Sequence, residues 1–405
     1  MSAKRSDALL HKRENGYRSL SAEEKAAMNA YCEEYKTFLD KSRTEREAVR
    51  YTVQLAEARG YRPYHRGDAL KPGDKIYRVN RDKAVMLVVM GTEPLDKGVN
   101  IGAAHIDAPR LDLKPNPLIE DSEFALLKTH YYGGIRKYHW VSIPLSLRGV
   151  VVKRDGTKVD VVIGGEPGDP LLTIPDLLPH LADKQAKEPL WQAIKGEDLN
   201  ILVGSEPYPD PDEKDAVKLM VLDILNQKYG MVEEDFLSAE LCAVPAYPVA
   251  DVGLDRSMIG SYGQDDRVCS FAALQGLFDA EKTLKRTGVC MLVDKEEIGS
   301  EGVSGMQSWA FDTFLSDLCD ATGASLKSCY EHSFCLSADV TAAFDPNFAE
   351  VYEKHNAARL NRGVGLCKYT GARGKSGASD ASAEVVGYVR KLFNDNGILW
   401  QLSEM

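Results

Sequence analysis

The chain has 405 residues, 44% hydrophobic and 27% charged, with a formal net charge of −11. So long a chain exceeds one ordinary core and points to two domains, or to one large domain carrying an insertion. The acidic balance excludes the basic face that a nucleic-acid partner requires, and no apolar run of about 18 residues is present to span a membrane.

Residues Met1 to Asp7 carry basic side chains with no apolar stretch behind them, so no signal peptide is expected. Eight cysteines are scattered along the chain without a C-x-x-C pair, several of them inside apolar runs. They read as reduced thiols of a cytoplasmic protein rather than as a disulfide frame or a zinc ribbon.

Two capping boxes, Ser21-Ala-Glu-Glu24 and Thr44-Glu-Arg-Glu47, each predict the start of a helix, and Gly60 is a natural stop for the second. The short apolar runs from Ala84 to Met90 and from Val99 to Ala104 then read as strands buried on both faces of an α/β sheet. From about 114 to 248 the texture is strand-rich. A hairpin is predicted around Asp155-Gly156, and a proline-rich loop runs from Glu206 to Asp212. Helix-like and strand-like segments alternate again from there to Gly397-Ile-Leu-Trp-Gln-Leu402, a strand-like segment close to the last residue.

Four places in this pattern share a design. His105-Ile-Asp107 follows one apolar strand, Glu296-Glu297 follows another (Val289 to Val293), and Asp339 follows a third (Ser333 to Ser337). Asp265-Asp266 opens a helix. In parallel α/β sheets, ligands gather at the carboxyl ends of strands, so these residues can converge. On an extended segment, neighbouring side chains point opposite ways. One carboxylate of the Glu296-Glu297 pair can therefore grip a cation while the other reaches a water.

Taken singly, each feature has an ordinary explanation. Glu-Glu pairs are common on solvated loops, His105 suits a satisfied core histidine, and Asp265 and Asp339 suit helix caps. Together, an imidazole and several carboxylates are the ligand set of a hydrolytic divalent-metal site. Their number exceeds what one zinc needs, which points to two ions about 3.5–4 Å apart sharing a bridging carboxylate and water.

The same residues resemble the aspartyl aminopeptidase family of di-zinc exopeptidases (metallopeptidase family eighteen). The motifs are His105-Ile-Asp107, Gln264-Asp265-Asp266-Arg267, Asp294-Lys-Glu-Glu-Ile-Gly-Ser300 and Ser337-Ala-Asp339-Val340 with Asp345-Pro346-Asn347. In the strand-rich segment, Tyr132-Gly133-Gly134 and Ile174-Pro-Asp-Leu-Leu-Pro-His180 also match. The resemblance implies a mixed-sheet, three-layer α/β exopeptidase domain from residues 1–113 and 249–405, with residues 114–248 inserted as a β-rich dimerisation or substrate domain.

Carried over position by position, it implies that His105, Asp265 and Asp339 hold one Zn2+, with Asp265 bridging, and that Asp265 and Glu297 hold a second. Glu296 is implied as general base, and Asp107 as the hydrogen-bond partner that orients His105. His180 is implied to reach a neighbouring subunit's site and steady the tetrahedral intermediate. The partners implied are peptides, trimmed from the N-terminus with acidic residues as the family's preference, and further copies of the chain, as dimers assembling into a larger shell. Lys368 and Arg373 are candidates to read a substrate carboxylate.

One ligand departs from the family pattern. The histidine that completes the second zinc site lies, in the family, beyond a glycine-rich turn downstream of the Gly397–Leu402 strand, and nothing after Leu402 supplies it. His332 and His355 do not occupy that place and read as structural or substrate-side residues. Two functions follow: a zinc aminopeptidase seen as a fragment or truncated product, or a truncated, catalytically impaired member acting as a metal-binding or interaction subunit. The near-complete catalytic set favours the first.

Overall fold

The computed structural model describes residues 5, 9–11, 14–280, 284–372 and 376–404. Residues 1–4 and 6–8, on which the signal-peptide expectation rests, and Arg373 lie outside them. The chain divides into two compact units, Tyr35–Asp339 and Met1–Glu34 with Val340–Met405.

Helix α1 (Ala22–Lys41) brings the chain into the larger unit, and α2 (Glu45–Glu57) follows. Both predicted capping boxes form. The Thr44 hydroxyl accepts from the Glu47 N–H and the Glu47 carboxylate accepts from the Thr44 N–H, as Ser21 and Glu24 do for α1. Gly60, at φ +85°, closes the turn after α2.

In chain order the strands of this unit are β1 (Arg62–Pro63), β2 (Lys75–Asn80), β3 (Ala84–Val89), β4 (Asn100–His105), β5 (Arg110–Asp121), β6 (Phe124–Tyr132) and β7 (Leu145–Val152). There follow β8 (Lys158–Ile163), β9 (Ile201–Gly204), β10 (Ala239–Pro245), β11 (Ala250–Val252), β12 (Met258–Gly260), β13 (Gly288–Val293) and β14 (Phe334–Ser337). The longer helices that join them are α3 (Ala216–Tyr229), α4 (Gln264–Ala280), α5 (Ala310–Thr322) and α6 (Leu326–His332).

The first six-stranded sheet runs β1-β2-β3-β13-β4-β14 and is mixed. Pairing is antiparallel on both sides of β3 but parallel between β13 and β4 and between β4 and β14. Because side chains alternate across a strand, β3 sends Val85, Leu87 and Val89 into one core with Phe38, Val49 and Phe271, from α1, α2 and α4. It sends Met86 and Val88 into the opposite core with Phe314 and Leu318 of α5. Continuous apolar strands are what such a three-layer α/β/α arrangement requires.

The second six-stranded sheet, β8-β7-β10-β5-β6-β9, is antiparallel throughout and has its own core around Leu111, Leu145, Val151 and Ile201. The β7–β8 hairpin turns where expected. Gly156 sits at φ +83° and the Asp155 carboxylate accepts from the Thr157 N–H at 2.8 Å. Among the described residues no helix is long and apolar enough to cross a membrane, and Cys242, Cys290, Cys319 and Cys329 are buried free thiols.

In the smaller unit, β15 (Val364–Cys367) pairs in parallel with β18 (Trp400–Ser403), and β16 (Tyr369–Ala372) pairs with β17 (Ser376–Asp380) as a hairpin. Helix α7 (Ala383–Asp395) is capped by the Ser382 hydroxyl. The buried Gln401 side chain ties β18 to the backbone of Arg359 and Gly363, and Lys368 stands just before β16. His355 lies here too, its N–H on the Glu353 carboxylate at 3.1 Å.

Candidate metal centre

The central strands β13, β4 and β14 lie side by side and parallel, so their carboxyl ends share one edge of the sheet. Val293 is in register with His105, and Ser337 with Ala103. The pairing continues past the strands. The Ile106 N–H donates to Val293 O, and the Ala338 N–H to Ala103 O, each at 2.8 Å. His105, Asp107, Glu296-Glu297 and Asp339 therefore leave the sheet together, although up to 234 residues separate them. Helix α4 adds Asp265 and Asp266 in its first turn, where carboxylates also suit the helix dipole.

His105 is buried, at 5% exposure, and is ringed by acids. Its Nε2 stands 3.6 Å from Asp339 Oδ1, 3.7 Å from Asp265 Oδ1 and 4.0 Å from Glu296 Oε2. All three are too long for hydrogen bonds, and this buried nitrogen has no hydrogen-bond partner among the described residues. Its Nδ1 faces the Asp107 carbonyl oxygen at 3.2 Å, with the Asp107 and Asp266 carboxylates each at 3.6 Å. Burial disfavours the imidazolium, but Asp107, Asp265 and Asp339 outweigh it and raise the His105 pKa far above the usual range.

Among the described residues, His105, Asp265 and Asp339 form the one group of three whose ligand atoms all lie within 4.8 Å of one another. An orphaned, buried imidazole nitrogen facing two half-exposed carboxylates fits a divalent cation such as zinc.

The structure corrects one expectation about the glutamate pair. Glu296 and Glu297 lie not on an extended segment but on a 3-10 turn, Glu296–Ile298, so strand alternation is not what separates their side chains. The turn is bracketed by two left-handed residues, Lys295 at φ +76° and Gly299 at φ +102°. For a lysine that conformation costs about 1–2 kcal/mol. Asp107 holds the turn: its Oδ1 accepts the Glu296 N–H at 3.0 Å and its Oδ2 the Glu297 N–H at 3.1 Å. Asp107 thus contacts His105 chiefly through its backbone oxygen and spends its carboxylate on the glutamates. It is fully buried; burial pushes its pKa up, but His105 and Tyr132 overcome this and leave it low.

Both glutamates titrate high. Burial raises the Glu297 pKa to about 8, helped by the neighbouring charges of Asp266, Asp265 and Glu296. Burial also raises that of Glu296, with Asp339, Asp107 and Asp265 adding to it. Asp266 is buried at 1% exposure and pushed up to about 6 by that burial, against the opposing charges of Arg267 and His105. The cluster carries more negative charge than its surroundings neutralise, which a bound cation would relieve.

Sequence reasoning missed two participants. Asp266, in the sequence only the second acid at the start of a helix, is buried against Arg267 Nη1 at 3.1 Å. Tyr132 ends β6, and its hydroxyl donates to Asp107 Oδ2 at 2.8 Å. Its motif Tyr132-Gly133-Gly134 was a signal in plain view, but no spacing rule says that it reaches residue 107. His180 stands apart from this group, on an exposed turn following Ile174-Pro175-Asp176. His332 ends α6 with Nδ1 on Ser328 O at 2.9 Å. Neither His332 nor His355 belongs to the three-ligand group.

Comparison with known proteins places the chain in a family. The family model "Aminopeptidase I zinc metalloprotease (M18)" matches residues 38–405. A probable M18 family aminopeptidase 1 from Clostridium acetobutylicum is 46% identical over 379 residues, covering 92% of this chain and 81% of that protein. The crystal structure of an M18 aminopeptidase from Thermotoga maritima superposes with a TM-score of 0.92 at 43% identity, covering 97% of this chain and 87% of that one. A remoter likeness, to the mApe1 dodecamer of Saccharomyces cerevisiae at 21% identity and a TM-score of 0.73 over 93% and 85% of the two chains, concerns the fold alone. The chain belongs to the M18 family of zinc metalloproteases and is a metallo-aminopeptidase, a hydrolase of peptide bonds.

Proposed function

We propose that the chain trims N-terminal residues from peptides, with zinc held by His105, Asp265 and Asp339 and with Glu296 as the general base. The observation that carries this assignment is the buried His105 Nε2, which has no hydrogen-bond partner among the described residues and faces the carboxylates of Asp265, Asp339 and Glu296. A second zinc ion falls to Asp265 and Glu297, a reading supported by the raised Glu297 pKa. When bound, zinc polarises the scissile carbonyl and acidifies water.

Glu296 takes the proton of the attacking water and passes it to the leaving amine, a role suited to a carboxylate whose pKa is raised above its ordinary value by burial. Asp107 fixes the turn that presents it. The segment 114–248 serves as an inserted domain for dimerisation or substrate contact, with His180 supplied to a neighbouring copy. In support, His180 is flanked by Leu177, Leu178 and Leu181, exposed at 50%, 66% and 68%.

Replacing Glu296 by Gln should lower kcat by about a thousandfold with zinc content unchanged. Replacing Glu297 by Gln should weaken zinc retention. Metal analysis after gel filtration, with peptide turnover measured in parallel, checks both. Equal zinc loss in the two variants overturns the division of roles.

A further inference from the structure

The Glu296-Glu297 turn is braced from behind by a phenol. Tyr132, 7% exposed at the end of β6 in the second sheet, donates its hydroxyl to Asp107 Oδ2. That same oxygen accepts the Glu297 N–H, and its partner oxygen accepts the Glu296 N–H. The ring itself is pinned. The Arg110 guanidinium lies over it at 3.9 Å, and Arg110 is in turn held by Asp112 at 2.7 Å and Glu45 at 3.3 Å. The ammonium of Lys295, the residue that starts the turn, sits 5.4 Å from the same ring and 3.2 Å from Asp294. Gly133 completes the contact. A Cβ there would stand 3.2 Å from both Cβ and Oε2 of Glu297, so the backbone after Tyr132 lies directly against that side chain.

We propose that Tyr132 is a positioning residue for the reaction, acting through Asp107 to fix the turn that carries Glu296. The inference rests on Glu296 being the base. A carboxylate that accepts three donors on two oxygens is oriented by all of them. Removing the phenol leaves Asp107 with two backbone donors that themselves belong to the turn, so among the described residues only the longer 3.6 Å contact of His105 Nδ1 with Oδ1 then bears on its rotation from outside the turn. Catalytic groups misplaced by an ångström lose rate without losing the ability to bind substrate. The effect should therefore fall on kcat. The second sheet thereby contributes to chemistry located at the edge of the first, through β6 and through Arg110 at the start of β5.

The test uses Tyr132→Phe in the full chain, which keeps the ring under Arg110 and removes only the hydroxyl. At saturating zinc, kcat should fall about tenfold, with KM and zinc content unchanged. In metal-free protein, amide exchange at residues 295–299 should quicken while exchange in β13 stays slow. That readout needs no active enzyme and holds whichever glutamate is the base, so failure of the positioning role and failure of the Glu296 assignment are told apart. A double-mutant cycle with Asp107→Asn should show strong non-additivity. Unchanged exchange at 295–299, or additive losses in the cycle, overturns the proposal. So does a loss confined to zinc content or to the unfolding temperature. Tyr132→Leu, which also loses the stacked ring, should lower the unfolding temperature yet depress kcat no further than Phe does.

Discussion

Two clusters of charged residues in the larger unit use the same residue types to opposite ends. Around a cavity of about 230 Å3, Glu45, Arg46, Lys83, Arg110, Asp112 and Glu240 are matched acid to base. Glu45 is fully buried, and burial pushes its pKa up, yet Arg110 and Lys83 overcome that and leave it below the usual value. Glu240 is likewise held down to about 2, its burial outweighed by Arg46 and Lys83. At the sheet edge, Glu297 has acids for neighbours and rises to about 8. Burial acts in the same direction on all three; the sign of the outcome is set by company. A balanced cluster is complete as folded, whereas an unbalanced one is what a cation would complete.

The contrast is most severely tested at Arg110. Replacing it by Met leaves Glu45 to Lys83, whose ammonium is 4.0 Å away, and the weaker influence of Lys295, and should cost about 3–5 kcal/mol. Adding Glu45→Gln should recover much of that loss, as chemical denaturation will show. If the single change is neutral, the cluster is not balanced by pairing.

Chelating the metal should act on the other cluster. In zinc at about a thousand times its dissociation constant, the bound protein gains about 4 kcal/mol over the metal-free form, seen as a fall in unfolding temperature on adding chelator. A smaller effect has the opposite sign. In metal-free protein, Asp265→Asn removes a charge from a repulsive set and should stabilise by about 0.5–1 kcal/mol. A metal-free variant less stable than its parent would mean that Asp265 is already satisfied without a cation.

The smallest effect belongs to Glu240, half-exposed at 52%. Glu240→Gln should cost up to about 1 kcal/mol at neutral pH. Because its folded pKa lies near 2 against an ordinary 4.5, the contribution is full above pH 4.5 and fades as pH falls towards 2. Unfolding curves of parent and variant should therefore converge in acid.

Much of this was legible in sequence. Continuous apolar runs foretold β3, β4 and β13, and the capping boxes at Ser21 and Thr44 foretold where α1 and α2 begin, because these signals are local. The convergence of His105, Glu296 and Asp339 followed from the rule about parallel strand ends, and the register of β13, β4 and β14 bears it out. What sequence could not supply was the local path of the backbone at Lys295. Its left-handed conformation turns a presumed extension into a 3-10 turn, and the bonds to Asp107 that reward it come from a residue 189 positions away. The link from Tyr132 to Asp107 was hidden for the same reason. It is a tertiary contact between two sheets, and no periodicity records it.

The parallel trio of strands has a consequence for how the protein is made. β4 finds both of its neighbours only after the chain has run on past residue 337, so these pairings have high contact order and form slowly. A ribosome will have released His105 long before Asp339 exists to oppose it. On the ligand set proposed above, metal capture would then close synthesis rather than seed it, and a nascent chain starved of zinc should reach the three-layer core first and accept the ion afterwards.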